Sequence, residues 1–208
     1  MPEQTYRQKL KANTLVVARR IVASEGLAGL QARRIAQEAG CSVGTIYNLY
    51  DGLDDLILRV NAGTLENLGE SLVMHRELSA GQELPHRLTQ LALAYLKFAL
   101  ESELAWRAVF EHQFAKPRVV PDWYLDCQNN LFAIVEGILA PVVHDETKRQ
   151  LAARALFSAV HGIVSLALDQ KLGGFDRAST EAQIRFIVST AAKGVASTEL
   201  SSIQTSEA

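Results

Sequence analysis

Apolar residues recur every three or four positions along most of this chain, which is the spacing of one face of an α-helix. Near the N-terminus Leu15, Ala18, Ile21 and Val22 share such a face, and Gly26 follows at a position where a helix can end. No hairpin turn joins two runs of alternating apolar and polar residues. The pattern therefore predicts an all-α fold.

Two short helices are predicted after Gly26, with a tight turn between them. The apolar face of the first consists of Ala32, Ile35, Ala36 and Ala39. Gly40 ends this helix and gives the turn its backbone freedom. Ser42 is expected to cap the second helix, because its hydroxyl can accept a hydrogen bond from a free amide of the first turn. Three short helices, the last two joined by a glycine turn, form the minimum of a helix-turn-helix.

The second of these helices has an outer face suited to a nucleic acid, while Ile46 is expected to pack inward against Ile35. The outward positions are Ser42, Val43, Gly44, Thr45, Tyr47 and Asn48. Short hydroxyls, an amide, a phenol and a glycine permit close approach to phosphates and base edges in a major groove. We therefore predict a DNA-binding head at residues 1–52. The alternative for Tyr47 is that it only packs beside Ile46.

Longer helices are predicted beyond Gly52, where the backbone can bend. They cover roughly residues 53–72, 84–100, 122–139, 147–171 and 179–196, with a further helix that Ser102 is expected to cap. Pro121 suits the start of its helix, since the amide that proline lacks is free in a first turn, and Pro141 ends the same helix. These helices predict a larger helical-bundle body at residues 53–200, followed by a flexible polar tail at 201–208.

Charge is distributed unevenly between these two predicted regions. The 208 residues carry a net charge of −2 at pH 7. Residues 1–50 contain seven basic and three acidic residues, a net charge of +4, whereas the remainder contains fourteen basic and twenty acidic residues, a net charge of −6. A basic segment on an acidic body is typical of a small phosphate-binding module. The alternative is a solvated helix face on which basic residues cluster by chance.

Cysteine content and hydropathy bear on the cellular location and on metal binding. Cys41 and Cys127 form neither a disulfide framework nor the spacing of a metal site. No uninterrupted apolar run approaches the roughly 20 residues that cross a bilayer, and the charged N-terminus does not resemble a secretory signal. We therefore expect a cytoplasmic protein with no membrane partner, no metal and no cofactor.

The run LQARRIAQEAGCSVGTIYNLY, residues 30–50, closely resembles the head of the TetR family of transcriptional repressors, whose pattern ends in IAxxAGVSxGTLYxHF. The similarity is strong over about residues 10–60. It implies a dimeric, all-helical regulator that binds a double-stranded DNA operator, with a body that senses a small molecule.

The resemblance also implies roles for particular residues of the head. Ser42, Thr45, Tyr47 and Asn48 occupy the positions that touch DNA, with Val43 and Gly44 close to it. Arg33 matches a position that faces the groove or the DNA backbone. Gln31 stands where the family has a serine or threonine that caps the helix and touches a phosphate; glutamine is a poorer cap but can still reach a phosphate.

Two further departures concern phosphate contacts and packing. Leu53 replaces a phosphate-binding lysine of the family, and Tyr50 replaces a phenylalanine. Fewer phosphate contacts predict a shallower dependence of DNA affinity on salt, by roughly 0.9 in slope per contact. Arg7, Lys9 and Lys11 are expected to compensate as an N-terminal arm.

The body resembles one branch of the family more weakly. The family's Trp-His-Gly corresponds here to Val160, His161 and Gly162. Candidate ligand-binding residues are His161 and seven aromatic residues between 95 and 132: Tyr95, Phe98, Trp106, Phe110, Phe114, Trp123 and Phe132. A cavity between helices with such a lining would suit a small hydrophobic or aromatic effector. The alternative is that these residues only fill the core, with His161 hydrogen-bonded inside it.

The last two predicted helices carry more apolar surface than one core face needs. The residues concerned are Leu151, Leu156, Val160, Ile163 and Leu166 near 147–171, and Ile184, Ile187, Val188 and Ala191 near 179–196. We predict that these helices form an isologous homodimer interface. The alternative is that both are interior helices of a monomer.

Enzymatic function is not indicated. No GxSxG, P-loop, GxGxxG or HExxH motif occurs. Glu83 and His86 have the spacing of di-iron bundles, but Pro85 lies between them and no partner pair exists. A repressor that a small effector releases from DNA is therefore predicted. The alternative is a helix-turn-helix architectural or adaptor protein without a ligand, which a small or fully packed body cavity would favour.

Overall fold

The computed structural model describes the backbone of residues 2–113 and 119–206, and the side chains of residues 4–113 and 119–195. All regular secondary structure in these residues is helical, which confirms the predicted all-α fold. A short 3-10 helix covers Leu27–Gly29. The α-helices are α1 (Pro2–Glu25), α2 (Ala32–Ala39), α3 (Val43–Leu49), α4 (Gly52–Leu78), α5 (Leu84–Glu101), α6 (Glu103–Glu111), α7 (Asp122–Leu139), α8 (Glu146–Asp169) and α9 (Arg177–Ser206).

The helix ends follow the predicted signals closely in most places. Helix α7 begins directly after Pro121 and ends shortly before Pro141. Ser102 precedes α6, but its side chain makes no capping hydrogen bond. Helix α9 continues to Ser206, through most of the segment for which a flexible tail is predicted. No proline or glycine lies between residues 195 and 206, so the sequence contains no residue that would end this helix earlier.

The chain forms two compact units. The head unit comprises residues 1–67 and 102–127, and the body unit comprises residues 68–101 and 128–208. Helices α4 and α7 each contribute one part to each unit. The head unit is larger than the predicted head, because the first part of α4, all of α6 and the start of α7 belong to it. A DNA-binding domain that ends at residue 52 therefore stays a prediction about function.

The head unit has its own aliphatic core. Ile21 of α1, Ile35 of α2 and Ile46 of α3 have at most 1% of their surface exposed, and Leu56 of α4 is fully buried. Burial of each such side chain stabilises the fold by about 1.5–3 kcal/mol. Ile35 and Ile46 lie in one cluster, as predicted, and this cluster fixes the position of α3 against α1 and α2.

The body unit packs α5, α8 and α9 together. Val164 of α8, Ile184 and Val188 of α9 and Ile138 of α7 are almost completely buried. Helix α8 is long and apolar enough to cross a bilayer by length and composition alone, and 28% of its most apolar window is buried. The core helices of soluble proteins pass the same test. The sequence prediction missed this, because polar residues interrupt the apolar run of α8.

Candidate nucleic-acid interface and body cavity

The turn between α2 and α3 has the geometry that its residues dictate. Gly40 adopts a left-handed conformation at φ +71°, which glycine tolerates because it lacks a Cβ atom. Ser42 Oγ accepts a hydrogen bond from the backbone N–H of Thr45 at 3.1 Å, and it lies 2.8 Å from Thr45 Oγ1. The predicted cap is therefore formed, and the two hydroxyls hold each other at the start of α3.

The predicted DNA-contacting residues are accessible. Gln31, Arg33, Ser42, Gly44, Tyr47 and Asn48 are exposed, whereas Val43 and Thr45 are half-buried. Tyr47 has 52% of its surface exposed, so most of the ring does not serve as packing for Ile46. Gln31 holds the cap position of α2 without a side-chain capping bond, which leaves its amide available to an outside acceptor. The contacts with DNA themselves remain a proposal.

The first turns of α1 lie beside the end of α3. Arg7 Nη2 donates a hydrogen bond to the backbone oxygen of Asn48 at 2.7 Å. The Tyr50 hydroxyl donates to the backbone oxygen of Lys11 at 2.7 Å, and Lys11 Nζ lies 5.0 Å from the centre of the Tyr50 ring. Burial raises the pKa of Tyr50 to about 12, so the hydroxyl stays protonated and can donate. These contacts hold basic residues of α1 next to α3.

The predicted N-terminal arm is helical. Arg7, Lys9 and Lys11 belong to α1, which extends back to Pro2. No glycine interrupts residues 2–25, and proline is tolerated in a first helical turn. The basic side chains are therefore presented on a helix, and an extended strand of the chain does not form here.

Ion pairs divide the arginines of the head unit into two groups. Arg34 binds both Glu25 and Glu38, and Arg20 also pairs with Glu38. The Arg34 guanidinium lowers the pKa of both carboxyl groups, and they in turn raise the pKa of Arg34. Arg33, the next residue along α2, makes no ion pair among the described residues. Glu25 and Glu38 are thus neutralised by Arg20 and Arg34, while Arg33 stays available.

The net positive charge of the first 50 residues consequently rests on a smaller set of side chains. These are Arg7, Lys9, Lys11, Arg19 and Arg33. The sequence prediction did not separate them from Arg20 and Arg34. The spacing of Arg34 and Glu38, four residues apart on one helix, was a signal that could have identified part of the ion-pair network.

Three predicted ligand-binding aromatics belong to the head unit. Trp106 is buried, with 3% of its surface exposed, and its ring centre lies 5.0 Å from that of Phe110. Phe110 has 42% of its surface exposed. Trp123 is half-buried and stacks on the guanidinium of Arg59 at 5.0 Å. A fourth candidate, Phe114, lies outside the described residues.

A cavity of about 70 Å³ lies in the body unit. Its wall consists of Leu72, Leu88, Leu91, Ala92, Tyr95, Val135, Leu156, Phe157, Val160 and Val188. Tyr95 belongs to this wall, and its role in ligand binding stays a prediction. Phe98 is half-buried on the same helix and is not part of this wall.

Phe157 contacts three of the candidate ligand-binding residues, Tyr95, Phe132 and His161, but the sequence analysis did not identify it. Its ring centre lies 5.9 Å from Tyr95, 5.5 Å from Phe132 and 5.3 Å from His161. The Tyr95 hydroxyl lies 2.9 Å from His161 Nδ1, and burial lowers the pKa of His161. Phe157 lies outside the aromatic-rich stretch 95–132, so only its neighbours on α8, Leu156 and Val160, pointed to this helix face.

The predicted dimerisation residues separate into two sets. Leu156, Val160, Ile184 and Val188 are buried within the body unit, because α8 and α9 also supply its core. Ile163, Ile187 and Ala191 are half-buried. Leu151 and Leu166 are exposed to 70% and 41%, and Phe186, which was not predicted, to 71%. An apolar outer face therefore exists on α8 and α9, but it uses only part of the predicted set.

The described residues hold no group of three or more histidine, cysteine, aspartate or glutamate side chains that could bind a metal ion. Cys41 and Cys127 are free thiols, and burial raises the pKa of both. A raised pKa keeps a thiol protonated and poorly nucleophilic near neutral pH.

Two known families match separate stretches of the chain. Residues 15–60 match the family described as bacterial regulatory proteins, tetR family. Residues 88–191 match the family described as tetracyclin repressor-like, C-terminal domain. The sequence has no match among curated proteins.

Several solved structures share the fold. A protein with unknown function from Rhodococcus sp. RHA1 is 20% identical with a TM-score of 0.71, and the similarity covers 90% of this chain and 95% of that one. A tetR-family transcriptional regulator from Streptomyces coelicolor is 17% identical with a TM-score of 0.64, covering 93% and 89%. The multidrug binding protein EbrR, complexed with imidazole, is 21% identical with a TM-score of 0.62, covering 87% and 93%.

Proposed function

The chain belongs to the TetR family of bacterial transcriptional regulators, and on this basis we propose that it is a repressor that binds an operator as a homodimer and leaves it when a small apolar effector binds. The observation that carries the proposal is the exposed outer face of α3, next to basic residues of α1 and α2 that form no ion pair with any acidic side chain that the structure describes.

Helix α3 enters a major groove in this proposal. Thr45, Tyr47 and Asn48 read base edges together with Ser42, while Val43 and Gly44 allow the helix to approach closely. Arg33 and Gln31 bind phosphates from the start of α2, and Arg7, Lys9 and Lys11 bind phosphates from α1. Ser42 is fixed by its contact with Thr45, so part of this surface is formed before DNA arrives.

Two heads are needed for specific recognition, because one short helix reads only a few base pairs. A dimer with two-fold symmetry places two copies of α3 in successive major grooves, about 34–36 Å apart, on a pseudo-palindromic operator. The outer faces of α8 and α9, with Leu151, Leu166 and Phe186, form the interface. Phe186→Glu is expected to give a monomer in analytical ultracentrifugation, whereas Leu78→Glu, at an equally exposed residue of α4, leaves the dimer intact.

The effector occupies the body cavity and acts on α4. This helix begins at Gly52, directly after the recognition helix, and it carries Leu72 in the cavity wall. A ligand that displaces Leu72 therefore acts on the helix to which the head is covalently joined. Differential binding to the two states of 1–3 kcal/mol is typical of such coupling. EbrR, whose fold is similar, is described as a multidrug binding protein.

A second candidate function is an architectural or adaptor role without an effector. The observation that favours it is that the apolar cavity beside Tyr95, about 70 Å³, is smaller than typical ligand pockets of about 300–1,000 Å³. A second pocket of the same unit, which Leu96 and Thr180 help to line, measures about 410 Å³ and does not share this limit. Release of operator DNA by any small molecule that binds the body would exclude this role. We propose no catalytic activity and, because the target is genomic DNA, a cytoplasmic location.

The head assignment is tested by Thr45→Ala and Tyr47→Ala. Both are expected to lower operator affinity at least about a hundredfold, because each removes base-edge contacts from both heads of the dimer. Tyr6→Ala is the control, since it removes an exposed tyrosine from α1 of the same unit. Affinity is measured by fluorescence anisotropy, and the circular dichroism of each variant confirms that it is folded. Unchanged affinity in both head variants would contradict the proposal.

A further inference from the structure

The wall of the body cavity is almost entirely hydrocarbon. Nine of its ten residues are leucine, valine, alanine or phenylalanine, and none is charged. Six of these nine have at most 8% of their surface exposed. An ion that entered would lose its water shell and meet no opposite charge, which makes the transfer of a carboxylate or an ammonium group strongly unfavourable.

The tenth residue offers little to a polar ligand. Tyr95 has 5% of its surface exposed, and its hydroxyl is already engaged with His161 Nδ1 at 2.9 Å. A ligand hydroxyl that entered the cavity would exchange its hydrogen bonds with water for at most one bond, to a lone pair that remains on the Tyr95 oxygen. The hydrogen bonds lost cost binding free energy that a plain hydrocarbon does not lose.

Two wall residues are only half-buried, Val135 on α7 and Phe157 on α8. The route by which a ligand enters is therefore expected to lie beside them. Phe157 packs against Tyr95 and Phe132 by ring edges and stacks on His161. A cavity of about 150 Å³ accommodates benzene in a protein core, and this one has about half that volume. A ligand of that size must therefore enlarge the cavity, and of the two half-buried wall residues Phe157 has the larger side chain that a ligand can displace.

We infer that the body cavity selects compact, uncharged hydrocarbons and rejects their hydroxylated and ionised analogues, with the Phe157 ring forming its movable side. This inference rests on the proposed function only in treating the cavity as the effector site. The chemistry of the ligand follows from the wall itself.

Three probes of similar size test the selectivity on the purified full-length protein. Toluene, phenol and benzoate differ by a methyl, a hydroxyl and a carboxylate on the same ring. Toluene is expected to bind at least about tenfold more tightly than phenol, and benzoate should not bind detectably, as measured by ligand-observed NMR and by thermal shift. Phenol binding that equals or exceeds toluene binding would overturn the inference.

Variants show where toluene binds, and they distinguish the contribution of the Tyr95 hydroxyl from that of the apolar wall. Tyr95→Phe keeps the ring and removes the hydroxyl, so toluene affinity should change less than about threefold. Phe157→Ala enlarges the cavity and should increase toluene affinity while keeping the preference over phenol. Ala92→Leu fills the cavity and should abolish toluene binding, whereas the control Ala178→Leu, at an exposed position of α9, should not. Failure of both the wild type and Phe157→Ala to bind toluene would also overturn the inference.

Operator release is measured separately, by anisotropy of a labelled DNA duplex. Toluene binding to the cavity without release of DNA would contradict the proposed effector role and leave the ligand selectivity standing. Release of DNA by benzoate that survives in Ala92→Leu would contradict the selectivity and leave the repressor function standing. The two proposals therefore fail by different results.

Discussion

The head unit carries its candidate functional residues on its surface, whereas the body unit carries them in its interior. In the head unit the candidate DNA contacts point outward from α3, and a buried core around Ile35 and Ile46 holds that helix in place. In the body unit the candidate ligand site is internal, and the polar pair of Tyr95 and His161 is engaged within the fold. The head is thus suited to a polar, charged partner, and the body to an apolar one.

This difference also determines how a substitution acts. A change at an exposed side chain of α3 without a capping role, such as Tyr47, is expected to weaken DNA binding at little cost in stability. A change in the wall of the body cavity is expected to alter packing and ligand binding together. Residues of the same type can differ in this respect. Trp106 is an aromatic candidate that is buried in the head unit, and Arg33 and Arg34 are neighbours of which only Arg34 forms ion pairs.

Trp106→Ala has the largest expected effect. Trp106 is buried in the head unit and lies outside the wall of the body cavity, so its removal should lower the free energy of unfolding by about 3–5 kcal/mol. Toluene binding to the body should be unchanged under conditions where the variant is folded. Chemical denaturation and ligand-observed NMR measure the two quantities. Normal stability of the variant together with loss of toluene binding would indicate that Trp106 belongs to the ligand site and is not a core residue.

Arg33→Ala and Arg34→Ala separate a DNA contact from an internal ion pair. Loss of Arg33 should weaken operator binding by about 1.5–3 kcal/mol and reduce the salt slope by roughly 0.9 per head. Loss of Arg34 leaves Glu25 and Glu38 without their common partner, so it should lower the melting temperature instead. Titrations at several salt concentrations and thermal melts provide both readouts. The account is contradicted if the two variants exchange these effects.

Ser42→Ala tests the cap of α3, with a smaller expected effect. The substitution removes the acceptor for the Thr45 amide and should cost about 1 kcal/mol of stability. Ser42→Gly keeps a residue that suits the cap position and should cost only a few tenths. Thermal denaturation distinguishes the two, and equal losses would indicate that the hydroxyl does not cap α3.

The pH dependence of the body has the smallest expected effect. Burial lowers the pKa of His161 below 6.5, so the unfolded chain takes up a proton more readily than the folded one. Stability should therefore fall as the pH decreases below about 6.5, and His161→Gln should lose less stability than the wild type between pH 7 and pH 5. His86→Gln, at an exposed position, is the control. An equal loss in wild type and His161→Gln would show that this group does not contribute.

The helix-turn-helix could be predicted from sequence because its geometry follows from local rules. The left-handed conformation of Gly40 and the cap formed by Ser42 depend on residues within three positions of each other. The exposure of Tyr47 follows from helical periodicity once Ile46 is known to point inward. Each of these features could be inferred without knowing how distant helices pack.

The body cavity could not be predicted in this way. Its wall combines residues from five helices, and Tyr95 and Val188 are far apart in sequence. An aromatic at helical spacing can face a cavity, as Tyr95 does, or fill a core, as Trp106 does, and only tertiary packing decides between them. Sequence alone also could not separate the apolar residues of α8 and α9 that form the core from those that are exposed on the outer surface, because both sets recur at helical spacing.

The role of α3 in DNA recognition is tested by selecting bound sequences from a pool of random DNA duplexes, at near-physiological salt and with the full-length protein. The wild-type protein should enrich an inverted repeat whose half-sites are centred about one helical turn apart. Tyr47→Ala should fail to enrich this repeat. Failure of the folded wild-type protein to enrich any sequence, in the absence of added ligand, would contradict the assignment of α3 as a recognition helix.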